Sequence, residues 1–226
     1  MTSPLTVHHL RLSQSERIVF LCEELGIPYN IKLYNRQESD KLAPADYRSI
    51  HWTGTAPVIE DKSNPEQSVT LAESGAIIEY ILHNATYNKE KRLLIDPTDT
   101  KHYADYVFWL NHANAGFTGT LMMLMTSKAG QLPPDNFLSK VINRRLNSDL
   151  HGLEEQLTRF DYLAGNELTA ADVMIFFSLT TMRAFVPLDL KPYPHIAAYL
   201  QRVGKRDGYR RAMEKAEPGF QPVLTV

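Results

Sequence analysis

The sequence feature that most constrains the fold is a change in hydrophobic pattern near residue 86. Before this point, short β-prone runs alternate with segments whose apolar residues recur at helical spacing. Beyond it, the strand signals stop and only helical spacing remains. A chain of 226 residues can form two modest domains, each with its own core. We therefore predict an α/β domain over residues 1–86, a linker over 87–98 and an all-α domain over 99–226.

The α/β half contains four strand candidates and two clear amphipathic helices. The strand candidates are Leu5 to His9, Tyr29 to Tyr34, Pro57 to Glu60 and Ser68 to Leu71. One helix candidate opens near Ser13 and ends at Gly26, and another opens at Ser74. A turn rich in Ser, Asn and Pro joins the last two strand candidates into a predicted hairpin. The order of elements is therefore βαβ followed by ββα.

The second half is predicted to be helical throughout. The first long segment, from about Asp99 to Lys128, is interrupted by Gly116 and Gly119. Further helices are expected from Pro134 to Phe160, from Thr169, from Pro194 to Lys205 and from Asp207 to Ala216. Thr169 and Asp172 have the spacing of a capping box, which closes the free amides of a helix N-terminus. We expect that pair to be structural.

Composition and charge exclude several classes of partner. A formal net charge of −2 leaves too little positive potential to attract nucleic acid or an anionic membrane surface, so we expect a small-molecule partner. Cys22 is the single cysteine, so no disulfide within the chain can form. The sequence shows no signal peptide, no apolar run long enough to cross a membrane and no metal-binding motif. These features predict a cytoplasmic protein.

Ser13 lies where a predicted strand gives way to a predicted helix, and two interpretations of it are open. With Glu16 it has the spacing of a capping box, the ordinary structural role of a serine at this position. The same geometry permits chemistry, because a hydroxyl at a helix N-terminus can donate a hydrogen bond to a thiolate, and the helix dipole favours the anion. The two roles are compatible.

Glu73 and Ser74 present a similar choice at the start of the next helix. They fit an N-cap with an acidic neighbour. They also fit a ligand site, since helix N-terminal amides and the Ser74 hydroxyl can bind a carboxylate while Glu73 pairs with an adjacent ammonium group. An α-amino acid group carries both charges on one carbon, so this dipeptide suits a γ-glutamyl moiety.

Several blocks of the sequence resemble one known family. They are Val7–Leu10, Leu12–Arg17 with Glu24–Tyr29, Gly54–Ile59 and Leu71–Ile77. In this order they resemble the cytosolic glutathione transferases that use serine, with a theta-like active-site segment, and above all the microbial transferases related to yeast glutathione transferase I. The resemblance spans essentially the whole chain. It implies an α/β N-terminal thioredoxin-like domain that binds glutathione, followed by an all-α C-terminal domain that binds the second substrate.

The resemblance also implies roles for individual residues. Ser13 is expected to activate the thiol of glutathione. The Ala56–Pro57 bond is expected to be cis, with the Ala56 backbone paired to the cysteinyl unit. Glu73 and Ser74 are expected to hold the γ-glutamyl end.

At one point the sequence departs from the family pattern. Thr55 stands where many relatives have a lysine, which leaves the partner of the glycyl carboxylate open. Our candidates for this part of the glutathione site are Thr55 itself and Lys41.

The first long helix carries an unusually apolar stretch, Leu121–Met125. Five apolar residues in a row cover more than one helix face, so some of them are expected to face a pocket or a partner subunit. The resemblance places the acceptor-substrate site along this helix, with Trp109, Asn114 and Phe117 as its expected wall. Together with the resemblance, the apolar excess also predicts a homodimer.

The expected function is attack of the glutathione thiolate on an apolar electrophile, as in detoxification. Cys22 lies inside a helix on its apolar face, so we do not expect it to be the nucleophile. Two alternatives stay open. One is a glutathione-dependent isomerase or peroxidase, in a biosynthetic or detoxification pathway, which would use the same thiolate. The other is a non-catalytic regulatory protein that keeps the fold.

Overall fold

The computed structural model describes residues 3–64 and 66–225, which form two compact units. The first contains the chain up to Arg92 together with Lys205–Pro222, and the second contains Leu93–Gly204 and the residues from Val223 onward. Among the described residues, no helix has the length and apolar character needed to cross a bilayer.

A four-stranded mixed sheet forms the centre of the first unit. Its strands are β1 (Leu5–Leu10), β2 (Asn30–Tyr34), β3 (Val58–Asp61) and β4 (Val69–Ala72). Their order is β2-β1-β3-β4, in which β1 is parallel to β2 and β3 is antiparallel to both β1 and β4. The helices of this first half are α1 (Glu16–Leu25), α2 (Ala45–Arg48) and α3 (Ser74–His83). The predicted βαβ–ββα order and thioredoxin-like fold class are confirmed.

The second unit is helical, as predicted. Its helices are α4 (Thr100–His112), a π-helical segment (Ala113–Thr118), α5 (Gly119–Ala129), α6 (Phe137–Arg159), α7 (Ala170–Leu179), a 3-10 turn (Thr181–Ala184) and α8 (Pro194–Gly204). All 10 residues of α7 are buried, as expected of a helix that is apolar on every side and lies at the centre of a bundle. The predicted capping box is present at its start, where Asp172 Oδ2 accepts from the Thr169 backbone N–H at 2.8 Å.

Helix α9 (Asp207–Ala216) corrects the expected domain division, because it packs along α1 in the first unit. The rings of Phe20 and Tyr209 meet edge to face with centroids 5.1 Å apart. Glu24 on α1 accepts two hydrogen bonds from Arg206, at 2.9 and 2.8 Å. These contacts place Lys205–Pro222 with the α/β unit, whereas the sequence pattern predicts one all-α domain over 99–226. The linker over 87–98 stays a prediction.

Local sequence accounts for the element that precedes the candidate site. Ile18, Leu21 and Cys22 are fully buried on one face of α1, as their spacing predicts. Gly26 ends this helix with a left-handed φ of 69°, a conformation that glycine adopts at little cost. Helix α1 is therefore fixed against the sheet, and its N-terminus points to the loop that carries Ser13.

Candidate functional site

The loops that carry the predicted glutathione-binding residues meet at one edge of the sheet. Since β1 and β4 both run antiparallel to β3, the ends of β1 and β4 and the start of β3 share that edge. Ser13 follows β1, Ala56 precedes β3, and Glu73 and Ser74 follow β4. A small hydrophobic cluster that includes Leu10 and packs against Ala56 supports the same edge. The topology thus brings Ser13 and Ser74, which are 61 positions apart in sequence, to the same edge of the sheet.

Ser13 lies in the β1–α1 loop with 7% of its surface exposed. Its hydroxyl lies 2.6 Å from the Leu10 carbonyl and 2.7 Å from the Ser15 hydroxyl, and it accepts the Ser15 N–H at 3.2 Å. Helix α1 begins at Glu16, and Ser15, not Ser13, occupies its N-cap position, without a side-chain capping bond. The Ser13 oxygen contacts the Leu10 carbonyl at the end of β1 and both the amide and the hydroxyl of Ser15.

Ser13 is the first of four polar side chains that are hydrogen-bonded in series. Ser15 Oγ lies 2.7 Å from Ser13 Oγ and 2.8 Å from His9 Nδ1, and His9 Nε2 lies 2.8 Å from Glu217 Oε1. His9 and Ser15 are completely buried, and Glu217 is 1% exposed. We did not predict these three residues. His9 has the pattern of an ordinary strand residue, and Glu217 stands 208 positions away from it, so no local signal links them.

The loop that carries Ser13 is held from two sides. Glu217 also accepts the backbone N–H of Leu12 and, at 3.3 Å, Nε of Arg11. Arg36 donates to the backbone carbonyls of Arg11 at 3.1 Å and Leu12 at 3.0 Å. Leu12 has a φ of 54°, which is uncommon for a residue other than glycine. Such backbone conformations persist only where the surroundings enforce them, and they cluster at functional sites.

Ser74 begins α3 and is 1% exposed. Its hydroxyl accepts from Arg17 Nη1 at 3.3 Å, and the same nitrogen donates to Gln14 Oε1 at 2.6 Å. Burial lowers the pKa of Arg17 to about 9, although the adjacent Glu16 carboxylate acts in the opposite direction. Arg17 therefore connects the start of α3 to the loop that carries Ser13.

Glu73 occupies the N-cap position of α3 with a φ of 76°. It makes no side-chain capping bond there, so the purely structural interpretation of Glu73 loses its support. The residue is exposed. An exposed carboxylate at the same sheet edge as Ser13 can pair with a ligand ammonium group.

The remaining glutathione-site candidates lie on exposed loops. The Ala56–Pro57 peptide bond is cis, as the resemblance implied. Thr55 and Lys41 are both exposed, and the Lys41 carbonyl accepts from Arg36 Nη1 at 3.0 Å. Their role toward a glycyl carboxylate stays a prediction.

The expected acceptor-site residues all lie on α4 or the π-helical segment of the second unit. Trp109 and Phe117 are 5% and 1% exposed, and Asn114 is half-buried. Within this unit the two aromatic side chains are core residues, and their contact with an acceptor stays a prediction. The π-helical segment falls at the predicted interruption of the long helix. A Cβ at Gly116 would lie 2.2 Å from Nδ1 of His112, so any larger residue there would require the imidazole to move.

Two other expectations concern possible alternative chemistry. Cys22 is fully buried, and burial raises the pKa of its thiol, as expected for a core residue that is not a nucleophile. In the described ranges 3–64 and 66–225, no cluster of three or more His, Cys, Asp or Glu side chains is arranged to hold a metal ion.

Comparison with known proteins agrees with this geometry. Residues 13–84 match the family model for the glutathione S-transferase N-terminal domain, and residues 137–207 match the model for the C-terminal domain. Glutathione S-transferase 1 of Saccharomyces cerevisiae is 26% identical, over 93% of this chain and 94% of its own length. The expected resemblance to the yeast transferases is confirmed.

Solved structures support the same assignment. A glutathione S-transferase from Actinobacillus pleuropneumoniae has a TM-score of 0.81 and 31% identity, covering 94% of this chain and 93% of its own. The glutathione transferase URE2P8 from Phanerochaete chrysosporium, solved with oxidized glutathione, has the same fold, with a TM-score of 0.76, 18% identity and 96% of both chains covered. Two family models over most of the sequence and relatives of matching length lead to one conclusion: the chain belongs to the glutathione S-transferase family.

Proposed function

We propose that this protein binds glutathione at the sheet edge that carries Ser13, Ala56 and Glu73–Ser74, and that it transfers the thiolate to an apolar electrophile. The observation that carries the proposal is the convergence of these residues. A buried hydroxyl, a backbone segment next to a cis-proline and a carboxylate beside a helix N-terminus come from three separate loops. Each of these groups matches a different part of the tripeptide.

The γ-glutamyl end of glutathione supplies a carboxylate and an ammonium group. Ser74 and the N-terminal amides of α3 suit the carboxylate, and the exposed carboxylate of Glu73 suits the ammonium group. The Ala56 backbone is available for the cysteinyl unit. The glycyl carboxylate is assigned to Lys41 or Thr55, the exposed residues that the resemblance brings to this part of the site.

Ionisation of the thiol is the chemical task of the site. A free thiol has a pKa of about 8.5, so only a few per cent is ionised near neutral pH. Lowering that pKa by roughly two units makes the thiolate dominant and requires about 2.7 kcal/mol. A hydrogen bond from the Ser13 hydroxyl to the anion is worth about 1.5–3 kcal/mol. Holding the thiolate against a bound acceptor then turns a bimolecular encounter into a unimolecular one.

A second enzymatic function uses the same thiolate. Glutathione-dependent isomerisation or peroxide reduction would need no further residue at the sheet edge. The non-catalytic alternative is disfavoured because Ser13, Ala56–Pro57 and Glu73–Ser74 are all present and lie on loops at the same sheet edge.

We also propose a homodimer. Val107, Phe108 and Met122, on α4 and α5, are 38%, 54% and 41% exposed. Within the apolar stretch Leu121–Met125, Leu121 is fully buried in the core and Met122 faces outward. Outward apolar side chains of this size are typical of subunit interfaces. A cytoplasmic location is proposed on the free thiol of Cys22.

The experiment measures glutathione binding by calorimetry and then turnover of an aryl halide, an isomerisable substrate and a peroxide. We expect binding and turnover of the halide. Glu73→Gln should weaken binding about tenfold, because an ionic hydrogen bond is worth about 1.5–3 kcal/mol. Glu66→Gln, on an exposed turn, is the matched control. Absence of binding would overturn the proposal, and binding without turnover of any substrate would favour the regulatory alternative.

A further inference from the structure

We propose that His9 receives the proton of the glutathione thiol, through the hydroxyls of Ser13 and Ser15, and that Glu217 stabilises the imidazolium that results. The inference rests on the proposed function and deepens it, since it states where the thiol proton goes. It is carried by the hydrogen-bonded chain from Ser13 to Glu217, which the binding of glutathione does not by itself require.

The Glu217 carboxylate fixes the tautomer of His9. A carboxylate only accepts hydrogen bonds, so His9 Nε2, 2.8 Å from Oε1, carries the hydrogen. In the neutral imidazole the other ring nitrogen, Nδ1, is then an acceptor. Ser15 Oγ lies 2.8 Å from Nδ1 and donates to it. The two serine hydroxyls therefore lead to an unprotonated imidazole nitrogen, Nδ1, which can accept one proton.

Ser13 is the end of this chain that faces outward. It is 7% exposed, whereas His9 and Ser15 are completely buried and Glu217 is 1% exposed. A thiol that contacts Ser13 has no direct path to the imidazole. The two hydroxyls, 2.7 Å apart, bridge the gap and are close enough to exchange a proton.

The proposed step transfers a net one proton from the sulfur to His9, so that one negative and one positive charge form and the total charge is unchanged. The thiol S–H bond breaks and its proton binds Ser13 Oγ. The Ser13 proton passes to Ser15 Oγ, and the Ser15 proton passes to His9 Nδ1. Each serine regains a neutral hydroxyl, the sulfur keeps its electron pair as a thiolate, and the imidazole becomes an imidazolium.

The hydrogen bonds after transfer favour the thiolate. His9 Nδ1–H now donates to Ser15 Oγ, Ser15 donates to Ser13 Oγ, and the Ser13 hydrogen points to the sulfur. Before transfer, that hydrogen is directed to Ser15 or to the Leu10 carbonyl, 2.6 Å away. Protonation of His9 therefore reverses the direction of these hydrogen bonds. Each hydroxyl then donates toward the substrate, which stabilises an anion there.

The charges around His9 must favour the transfer. In water the proton would prefer a thiol over an imidazole by about a hundredfold, from pKa values of about 8.5 and 6.5. Glu217, from the segment after α9, supplies the opposing negative charge against the ring. Two cations act in the opposite direction: Arg11, in the β1–α1 loop, pairs with the other Glu217 oxygen at 3.3 Å, and Arg36, after β2, also interacts with the Glu217 charge. Glu217 is therefore the group on which the stability of the imidazolium depends. Removing the carboxylate should therefore stop the transfer.

Counting protons during binding tests the assignment. Glutathione is titrated into the full-length protein at about pH 7.5, between the two pKa values above, in buffers of different ionisation enthalpy. The calorimetric heats give the protons released to buffer, and ultraviolet absorbance gives the thiolate formed. The wild type should form thiolate and release far less than one proton per thiolate, because His9 retains the proton. Release of one proton per thiolate by the wild type would overturn the assignment.

Variants identify the acceptor. Ser15→Ala interrupts the chain and leaves the His9–Glu217 pair in place, so each thiolate still formed should release a proton. Ser15→Thr keeps the hydroxyl and should restore retention. Glu217→Gln should release protons as Ser15→Ala does, and His83→Gln, at a histidine with 64% side-chain exposure, should match the wild type. If Ser15→Ala retained the proton as the wild type does, the relay would be overturned, and glutathione binding would be unaffected by that result. Absence of glutathione binding in the wild type would overturn the proposed function and the relay together.

Discussion

Buried polar side chains form most of the candidate site. Ser74 shows why their structural and functional roles must be measured separately. It is the first residue of α3, and its hydroxyl accepts from the buried Arg17 guanidinium. A buried donor that loses its acceptor destabilises the fold, whereas a ligand carboxylate that loses a hydroxyl binds less tightly.

Changing Ser74→Ala should therefore have two effects. The free energy of unfolding should fall by about 1–3 kcal/mol, because Arg17 loses an acceptor in a buried position. The affinity for glutathione should fall by about tenfold or more, since a hydrogen bond to a carboxylate is lost. Denaturant unfolding and calorimetry measure the two quantities. Ser68→Ala, at an exposed serine, should change neither. An unchanged affinity in Ser74→Ala would limit Ser74 to its contact with Arg17.

The individual site residues differ in how far sequence could identify them. Ser13, Glu73 and Ser74 could be predicted because each stands at a local strand-to-helix junction within an ordered set of blocks. His9 and Glu217 could not, because their meaning comes from a contact between residues 208 positions apart. The residues at the helix N-cap positions could not be predicted either. Spacing suggested Ser13 and Ser74 as capping residues, whereas Ser15 and Glu73 occupy the N-cap positions and make no side-chain capping bond.

Among the elements, α9 determines the position of Glu217. Its packing on α1 carries Glu217 to the β1–α1 loop. The approach is close, because a Cβ at Gly208 would lie 2.5 Å from Glu24 Oε1. Arg206 holds that carboxylate with two hydrogen bonds, so it cannot move aside freely. Periodicity predicted α9 as a helix and could not tell which core it joins.

Changing Gly208→Ala should separate α9 from α1. We expect the free energy of unfolding to fall by about 1–3 kcal/mol, the usual cost of overpacking. Gly152→Ala in α6 is the matched control, since a Cβ there meets no atom within 4 Å. That control should gain about 0.5–1 kcal/mol, because alanine favours a helix interior over glycine. Equal effects of both changes, measured by denaturant unfolding, would contradict the packing described for α9.

For the molecule as a whole, the proposed dimer is the main open feature. The chain mass is 25.7 kDa, and sedimentation at micromolar concentration should give about twice that value, as a two-fold dimer requires. Phe108→Glu places a charge among the exposed apolar side chains of α4 and should shift the protein toward a monomer. A wild-type monomer that still turns over substrate would refute the proposed dimer.

Activation of the thiol by Ser13 can be tested most directly by titrating bound glutathione, through thiolate absorbance, in the wild type and in Ser13→Ala. A hydroxyl that donates only to the thiolate stabilises the ionised form alone. Its removal should raise the pKa of the bound thiol by about 1–2 units. Turnover near neutral pH should fall by about one to two orders of magnitude and recover in part as the pH rises. Affinity at low pH, where the thiol is neutral in both proteins, should stay the same. Coincident titration curves would contradict the role of Ser13 and leave the group that activates the thiol to be found elsewhere.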